Sequence, residues 1–154
     1  MKGTSMVLTA DVALMSDYNN SSVFGFMSAL PYNYMPEWLA GRIFPTKSDD
    51  NGRMLIAQYG LCKVEASLLE SGFKKDDIVI ADPRKLNKVI GEDTKVIGIG
   101  CLDPLGVCYG AGIVKLAAKM VGYPSEKPSY MSKKFIELIN NPLLKKYNPK
   151  VILG

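Results

Sequence analysis

Four short apolar runs lie along the chain, separated by segments in which apolar residues recur every three or four positions. The runs are residues 6–14 (MVLTADVAL), 77–82 (DIVIAD), 95–101 (KVIGIGC) and 149–154 (PKVILG). Continuous apolar runs are typical of strands that are buried on both faces, and helices between them provide the crossovers that parallel strands need. The pattern therefore predicts a parallel β-sheet with helices on both sides.

The longest helical pattern spans residues 53–71, with Asp49, Asp50 and Asn51 as candidate caps. Apolar side chains at spacings of three and four predict that one face of this helix is buried. That face comprises Leu55, Tyr59, Cys62, Ala66, Leu69 and Phe73.

Further helices are predicted over residues 36–43, 84–90, 111–121, 131–139 and 142–146. The helix over 111–121 is expected to bury one apolar side, made of Ile113, Leu116, Ala117 and Met120. This alternation of strands and helices predicts a flavodoxin-like (Rossmann-like), doubly wound α/β fold with three layers and the strand order 2-1-3-4. The long Asn-, Ser- and Pro-containing stretch over residues 17–52 is open to two interpretations, a lid or ligand-binding segment and a disordered insertion.

The amino-acid composition excludes several kinds of catalytic and metal-binding site. The 154 residues suit a single folded domain, because 47% are hydrophobic and 22% are charged. The absence of histidine excludes an imidazole base, a histidine metal ligand and a Ser/His/Asp triad within this chain. The three cysteines form no C-x-x-C pair, and no apolar leader or membrane segment is visible, so we expect a soluble, cytoplasmic protein with reduced thiols.

Charge is unevenly distributed. Residues 1–77 carry seven basic and nine acidic side chains, whereas residues 78–154 carry twelve basic and six acidic ones. Most lysines of the second half lie on predicted helices, where a solvated face is a more common explanation than a nucleic-acid surface. Nucleic acid is therefore a minor option among the partners.

The carboxyl ends of the strands are where such a sheet binds ligands. Gly98, Gly100 and Gly106 cluster at the end of the third strand, where they serve either a tight turn or close approach of a ligand. Neither a G-x-G-x-x-G fingerprint nor a P-loop is present. Cys101 and Cys108 are expected to be buried or turn residues rather than nucleophiles, because no histidine is available to activate them.

Several segments, in this order, resemble the cobalamin-binding-like domain that precedes the catalytic barrel in class B radical SAM proteins. They are MVLTADVAL, FGFMSALP, QYGLCKVEASLLESGF, DIVIADP, KVIGIGCLDPLG and a closing KVILG. The resemblance covers nearly the whole chain. It implies that residues 1–154 form one α/β domain, cut from a longer radical SAM enzyme, for which methyl transfer is a candidate reaction.

The resemblance also implies which cofactors belong to this domain and which belong to the catalytic barrel. The iron–sulfur motif C-x-x-x-C-x-x-C is absent, so the [4Fe-4S] cluster and S-adenosylmethionine are expected only in a barrel outside these residues, and this domain alone is not catalytic. The D-x-H-x-x-G motif of methionine-synthase-like domains is absent as well. Any cobalamin is therefore expected to bind without a histidine on its cobalt.

The expected cofactor contacts lie at three strand ends, and no catalytic or metal-ligating residue is predicted. They are Thr9, Ala10 and Asp11 at the end of the first strand, Gly100, Cys101, Leu102, Asp103, Leu105 and Gly106 at the end of the third, and Gly154 at the end of the fourth. The expected partners are the protein's own radical SAM barrel and a second copy paired along the incomplete sheet edge. The alternative is a non-catalytic interaction domain that contacts a protein or an RNA through its basic second half.

Overall fold

A four-stranded, all-parallel sheet forms the centre of the computed structural model, which describes residues 2–154. Its strands are β1 (Met6–Ala10), β2 (Ile78–Ile80), β3 (Val96–Gly100) and β4 (Lys150–Leu153). They lie in the order β2-β1-β3-β4. The predicted α/β fold and the predicted strand order are confirmed, and the direction of winding reverses between β1 and β3.

Helices connect the strands. The described residues form α1 (Ser22–Met27), α2 (Glu37–Ile43), α3 (Tyr59–Glu70), α4 (Tyr109–Met120), α5 (Tyr130–Ile139) and α6 (Pro142–Tyr147). Short 3-10 turns cover Tyr18–Asn20, Tyr32–Tyr34, Lys75–Asp77 and Leu86–Lys88, so the helix predicted over 84–90 is reduced to a single turn. No helix within residues 2–154 has both the length and the apolar character needed to cross a membrane.

Alternate side chains of each strand point to opposite faces of the sheet, and each face has its own core. On one face, Val7, Val79 and Ile97 pack with Phe135 and Leu138 of α5. The other core contains Leu8, Ile78, Ile80 and Leu61 of α3. The sheet is therefore the middle of three layers.

The helix predicted over 53–71 begins later than expected. Arg53 and Met54 are extended instead, because the Met54 N–H donates to the Ile80 carbonyl at 2.8 Å and Arg53 pairs with Ala81. The carboxylate of Asp49 accepts from the Arg53 N–H at 2.8 Å, so it closes a turn and does not cap the helix. The helix itself starts at Tyr59.

The buried face of α3 also differs from the prediction. Leu61 is buried and Leu68 is half-buried, whereas the predicted face is exposed, including Tyr59 and Cys62. Two apolar stripes with the same spacing lie side by side on this helix. Periodicity identified the helix, but only the position of the sheet decides which stripe is covered.

The predicted apolar side of α4 is exposed as well, including Ile113, Leu116 and Met120. Of this helix, Ala111 is fully buried. Phe135 and Leu138 of α5 and Leu144 of α6 belong to the core on one face of the sheet, and none of the described residues of α4 does.

The long segment over residues 17–52 is folded. Met35, Ala40 and Phe44 form a core cluster with Val12 and Tyr130, in which the Phe44 and Tyr130 rings stack at 5.4 Å. Since Val12 directly follows β1, this cluster lies at the carboxyl edge of the sheet. The interpretation as a disordered insertion is wrong.

Candidate functional site

β1 and β2 are both followed by a buried aspartate at the carboxyl edge. Asp82 follows β2, and both of its carboxylate oxygens accept hydrogen bonds from the chain. Its Oδ2 accepts from the hydroxyls of Thr46 at 2.8 Å and Ser48 at 2.7 Å, and its Oδ1 accepts from the Arg84 N–H at 2.9 Å. Asp82 therefore fastens the segment around residues 46–48 to the sheet.

Asp11 lies after β1 and is satisfied at one oxygen only. Its Oδ1 accepts from the N–H groups of Ala13 at 2.9 Å and Leu14 at 3.3 Å. Among residues 2–154, no donor lies within hydrogen-bond distance of its buried Oδ2. Burial raises the pKa of Asp11 from 3.8 to about 6, against the lowering effect of the backbone hydrogen bonds.

A cavity of about 220 Å3 adjoins Asp11, and we call it the polar cavity. Lys134 Nζ lies 2.8 Å from Glu37 Oε1 and 2.8 Å from Glu137 Oε2, so it joins α5 to α2. The Tyr130 hydroxyl donates to Glu37 Oε2 at 3.3 Å. Burial, together with the Glu37 charge, raises the pKa of Tyr130 well above its ordinary value, so this hydroxyl stays protonated.

A second cavity, the apolar cleft, lies beside the loop that follows β3. It measures about 320 Å3, and Phe26, Leu102 and Met131 are among its lining residues. Asp103 also lines it, but its Oδ1 accepts from the N–H groups of Val107 at 2.9 Å and Cys108 at 3.2 Å. This carboxylate therefore shapes the loop that borders the cleft.

A third cavity, also of about 320 Å3, lies on the α3 face of the sheet, and we call it the glycine groove. Leu61 and Val64 of α3 and Ile152 of β4 form its apolar walls, while Gly98 and Gly100 form its floor. A Cβ placed on Gly100 would lie 3.0 Å from Gln58 Oε1 and 3.4 Å from Leu61 Cδ2. A side chain at this position would therefore require Gln58 to shift.

Gly154 also lines the glycine groove, where a Cβ would have no neighbour within 4 Å among the described residues. Its backbone is held in place, since its N–H donates to the Ile99 carbonyl at 3.1 Å and its carbonyl accepts from the Cys101 N–H at 2.7 Å. The position is therefore fixed, yet it has room for a side chain.

The predicted site residues do not converge on one pocket. Thr9 and Ala10 are fully buried, and the Thr9 hydroxyl donates to the Ala81 carbonyl at 2.9 Å, so neither side chain offers surface to a ligand. Asp11 lines the polar cavity. The remaining residues divide into three groups: Leu102 and Asp103 in the apolar cleft, Gly100, Cys101 and Gly154 in the glycine groove, and exposed Leu105 beside buried Gly106 in the connecting loop.

Sequence reasoning missed the walls of these cavities. Leu61 and Val64 lie outside the helix face that was predicted to be buried. Glu37 and Lys134 meet only because α2 and α5 pack together. The one available signal was the Lys134–Glu137 spacing, which allows an ion pair within a helix. Among the described residues, no three His, Cys, Asp or Glu side chains are grouped in a way that could hold a metal ion.

The chain matches no protein-family model. It also matches no curated protein and no solved structure.

Proposed function

We propose that this domain binds a cobalamin-like cofactor, as a module of a radical SAM enzyme. The glycine groove would hold the nucleotide tail, and the loop after β3 would contact the corrin ring. The observation that carries the proposal is the groove itself, because its floor lacks side chains and its walls are apolar. Crevices at the carboxyl ends of parallel strands are the usual ligand sites of doubly wound sheets.

The fit of the groove to such a tail rests on shape and polarity. Gly98 and Gly100 add no side chains of their own to the groove, and Leu61, Val64 and Ile152 supply apolar contacts on either side. Gly154 leaves open space in the same groove. These features support burial of a planar, largely apolar group.

The loop after β3 supports a second part of the proposal. Leu102, Leu105 and Val107 of this loop, together with Phe26 of α1, are 68–77% exposed, and we call them the apolar rim. Exposed apolar clusters of this kind mark binding surfaces. We propose that the rim contacts the corrin ring and the catalytic barrel of the same enzyme.

When bound, cobalamin supplies a cobalt that can carry a methyl group. The residues of this chain would bind its tail, orient the ring and exclude water from one side of it. The chain contains no histidine, so no imidazole of this domain can ligate the cobalt.

The test compares two glycines that both have space for a side chain, Gly154 in the groove and Gly112 on exposed α4. Hydroxocobalamin mixed with the protein should co-elute on gel filtration. Gly154→Leu should fill the groove and weaken retention about tenfold or more, whereas Gly112→Leu should not. Free passage of the cofactor with the wild-type protein, or equal retention by both variants, would contradict the proposal.

Replacement of Gly100 is a less specific test. A leucine there would overpack against Gln58 and Leu61, and it would destabilise the domain by about 1–3 kcal/mol whether or not a ligand binds. The change at Gly154 avoids this ambiguity.

The second candidate is a protein-binding domain without a cofactor, and the apolar rim favours it over an RNA-binding one. Lys133 and Lys134 of the basic second half are paired with Glu37 and Glu137, which reduces the positive charge available to a phosphate backbone. A protein-binding domain without a cofactor would not retain hydroxocobalamin.

We also propose that the sheet edge pairs with a second copy. β4 is one of the two edge strands, and Val151, Ile152 and Leu153 are exposed along it. Exposed apolar edges are templates for strand pairing. Sedimentation should show a dimer that Ile152→Lys converts to monomer, and a wild-type monomer at high concentration would contradict this.

A further inference from the structure

Helix α4 faces the rest of the domain with its less apolar side. From Ala111 onward, the residues of this helix that are not exposed share one stripe, at spacings of three and four. They are Ala111, which is fully buried, and Val114, Lys115 and Ala118, which are half-buried. The side of α4 that is covered by the chain is therefore made of small residues and one lysine.

The opposite side of α4 is apolar and exposed. It comprises Ile113, Leu116, Ala117 and Met120, and we call these residues the outer face. Ile113, Leu116 and Met120 are 47–79% exposed. An amphipathic helix at the surface of a domain normally directs its apolar stripe toward the core, and α4 has the reverse orientation. A clustered apolar surface of this kind marks an interaction site.

The charges near the outer face are all positive. Residues 104–125 contain Lys115 and Lys119 and no Asp, Glu or Arg. Lys119 lies beside the outer face, because it is three positions after Leu116. No ion pair within residues 2–154 involves either lysine, whereas the lysines of α5 are paired with carboxylates. Neither charge of α4 is therefore neutralised by the chain.

We propose that α4 binds the surface of an anionic lipid bilayer, with the outer face among the first acyl groups and Lys119 beside the lipid headgroups. An apolar face bordered by lysines is typical of helices that lie in the membrane interface. With 12 residues, α4 is too short to span a bilayer, so it would lie along the surface. This interaction goes beyond the proposed cofactor function and does not depend on it.

Other occupants match the outer face less well. A second copy packed through the same face would bring the lysines of two α4 helices together, with no carboxylate on either helix to compensate them. RNA would attract the lysines but would leave Leu116 and Met120 in contact with water. An anionic bilayer matches both features, because acyl chains cover apolar side chains and headgroups attract lysines.

The experiment measures co-sedimentation of the protein with lipid vesicles of two compositions. Vesicles made of equal parts phosphatidylcholine and phosphatidylserine should bind the wild-type protein. Vesicles of phosphatidylcholine alone should bind it about tenfold more weakly, because they lack the negative charge that attracts Lys115 and Lys119. Added salt should reduce this preference, since it screens charges at the membrane surface.

Leu116→Gln combined with Met120→Gln tests the outer face. Both side chains are exposed, so the variant should fold, and unfolding in urea checks this. Its binding to the phosphatidylserine vesicles should fall at least about tenfold, because less apolar surface is buried in the lipid. The matched control is Leu55→Gln combined with Leu69→Gln, at two exposed leucines outside α4, and it should bind like the wild type.

Lys115→Gln combined with Lys119→Gln tests the charges independently of the apolar side chains. The preference for phosphatidylserine should fall to about twofold or less. Lys145→Gln combined with Lys146→Gln is the matched control, because it makes the same change in net charge at two exposed residues of α6. This control should keep the preference of the wild type.

The proposal is overturned if the wild-type protein does not sediment with the phosphatidylserine vesicles. It is equally overturned if the α4 variants and their controls bind the vesicles alike. A dimer that forms without lipid and is lost in the Leu116→Gln and Met120→Gln variant would also overturn it, because the outer face would then lie between two copies. The dimer proposed at β4 should not respond to this variant.

Discussion

Two aspartates occupy equivalent places in this fold but have different surroundings. Asp82 and Asp11 each follow one of two neighbouring parallel strands, and they are 2% and 1% exposed. Asp82 accepts three hydrogen bonds from the chain, whereas Asp11 has one oxygen with no partner among the described residues. Burial alone therefore does not show whether the hydrogen bonds of a carboxylate are satisfied by the chain, but the partners of each oxygen do.

The largest effect is expected from Asp82→Ala. The change leaves the hydroxyls of Thr46 and Ser48 and the Arg84 N–H without their shared acceptor. The free energy of unfolding, measured in urea, should fall by about 3–5 kcal/mol. A loss below about 1 kcal/mol would show that Asp82 does not fasten this segment to the sheet.

A comparable but pH-dependent effect is expected at Asp11. Its pKa in the folded protein is about 6, above the ordinary value of 3.8, so the unfolded chain loses this proton first as the pH rises. Below about pH 4, Asp11 should therefore have no effect on the free energy of unfolding. That free energy should fall as the pH rises toward about 6, and above pH 6 it should stay lower by about 3 kcal/mol.

The variant Asp11→Asn removes the titrating group, so its contribution to the pH dependence should disappear. Unfolding in urea at several pH values, for wild type and variant, measures the difference. Parallel curves for the two proteins would mean that the folded environment of Asp11 does not disfavour its ionised form.

The smallest effect is expected from Ser48→Ala. It removes one of the two hydroxyl donors to Asp82 Oδ2, while the Thr46 hydroxyl remains 2.8 Å away. The free energy of unfolding should fall by about 1 kcal/mol, which is the usual net contribution of one hydrogen bond. A loss as large as that of Asp82→Ala would indicate that Ser48 supports the segment by some other contact.

The sheet could be predicted from the sequence because each strand is marked by a local pattern of apolar residues. Each strand is a continuous apolar run, and the connections between runs are long enough for parallel crossovers, so the order of the strands followed from topology. The buried face of α3 was not predictable in the same way. Leu61 and Tyr59 belong to adjacent apolar stripes, and only the position of β1 and β2 selects Leu61.

The candidate sites were predictable only in part. Strand ends could be located, which placed Asp11, Leu102 and Gly154 at the edge of cavities. The other residues that line the cavities come from elements distant in sequence. Glu37 of α2, for example, meets Lys134 of α5. Whether an aspartate keeps a free oxygen also depends on such contacts, so Asp11 and Asp82 look alike in sequence.

The most direct test of the proposed function is a titration of the wild-type protein with hydroxocobalamin, followed by absorbance. The account predicts saturation at one equivalent and a base-off spectrum, because the tail would enter the glycine groove and no histidine is present to replace it on the cobalt. If the spectrum remains identical to that of the free cofactor throughout the titration, the proposed cofactor binding is contradicted.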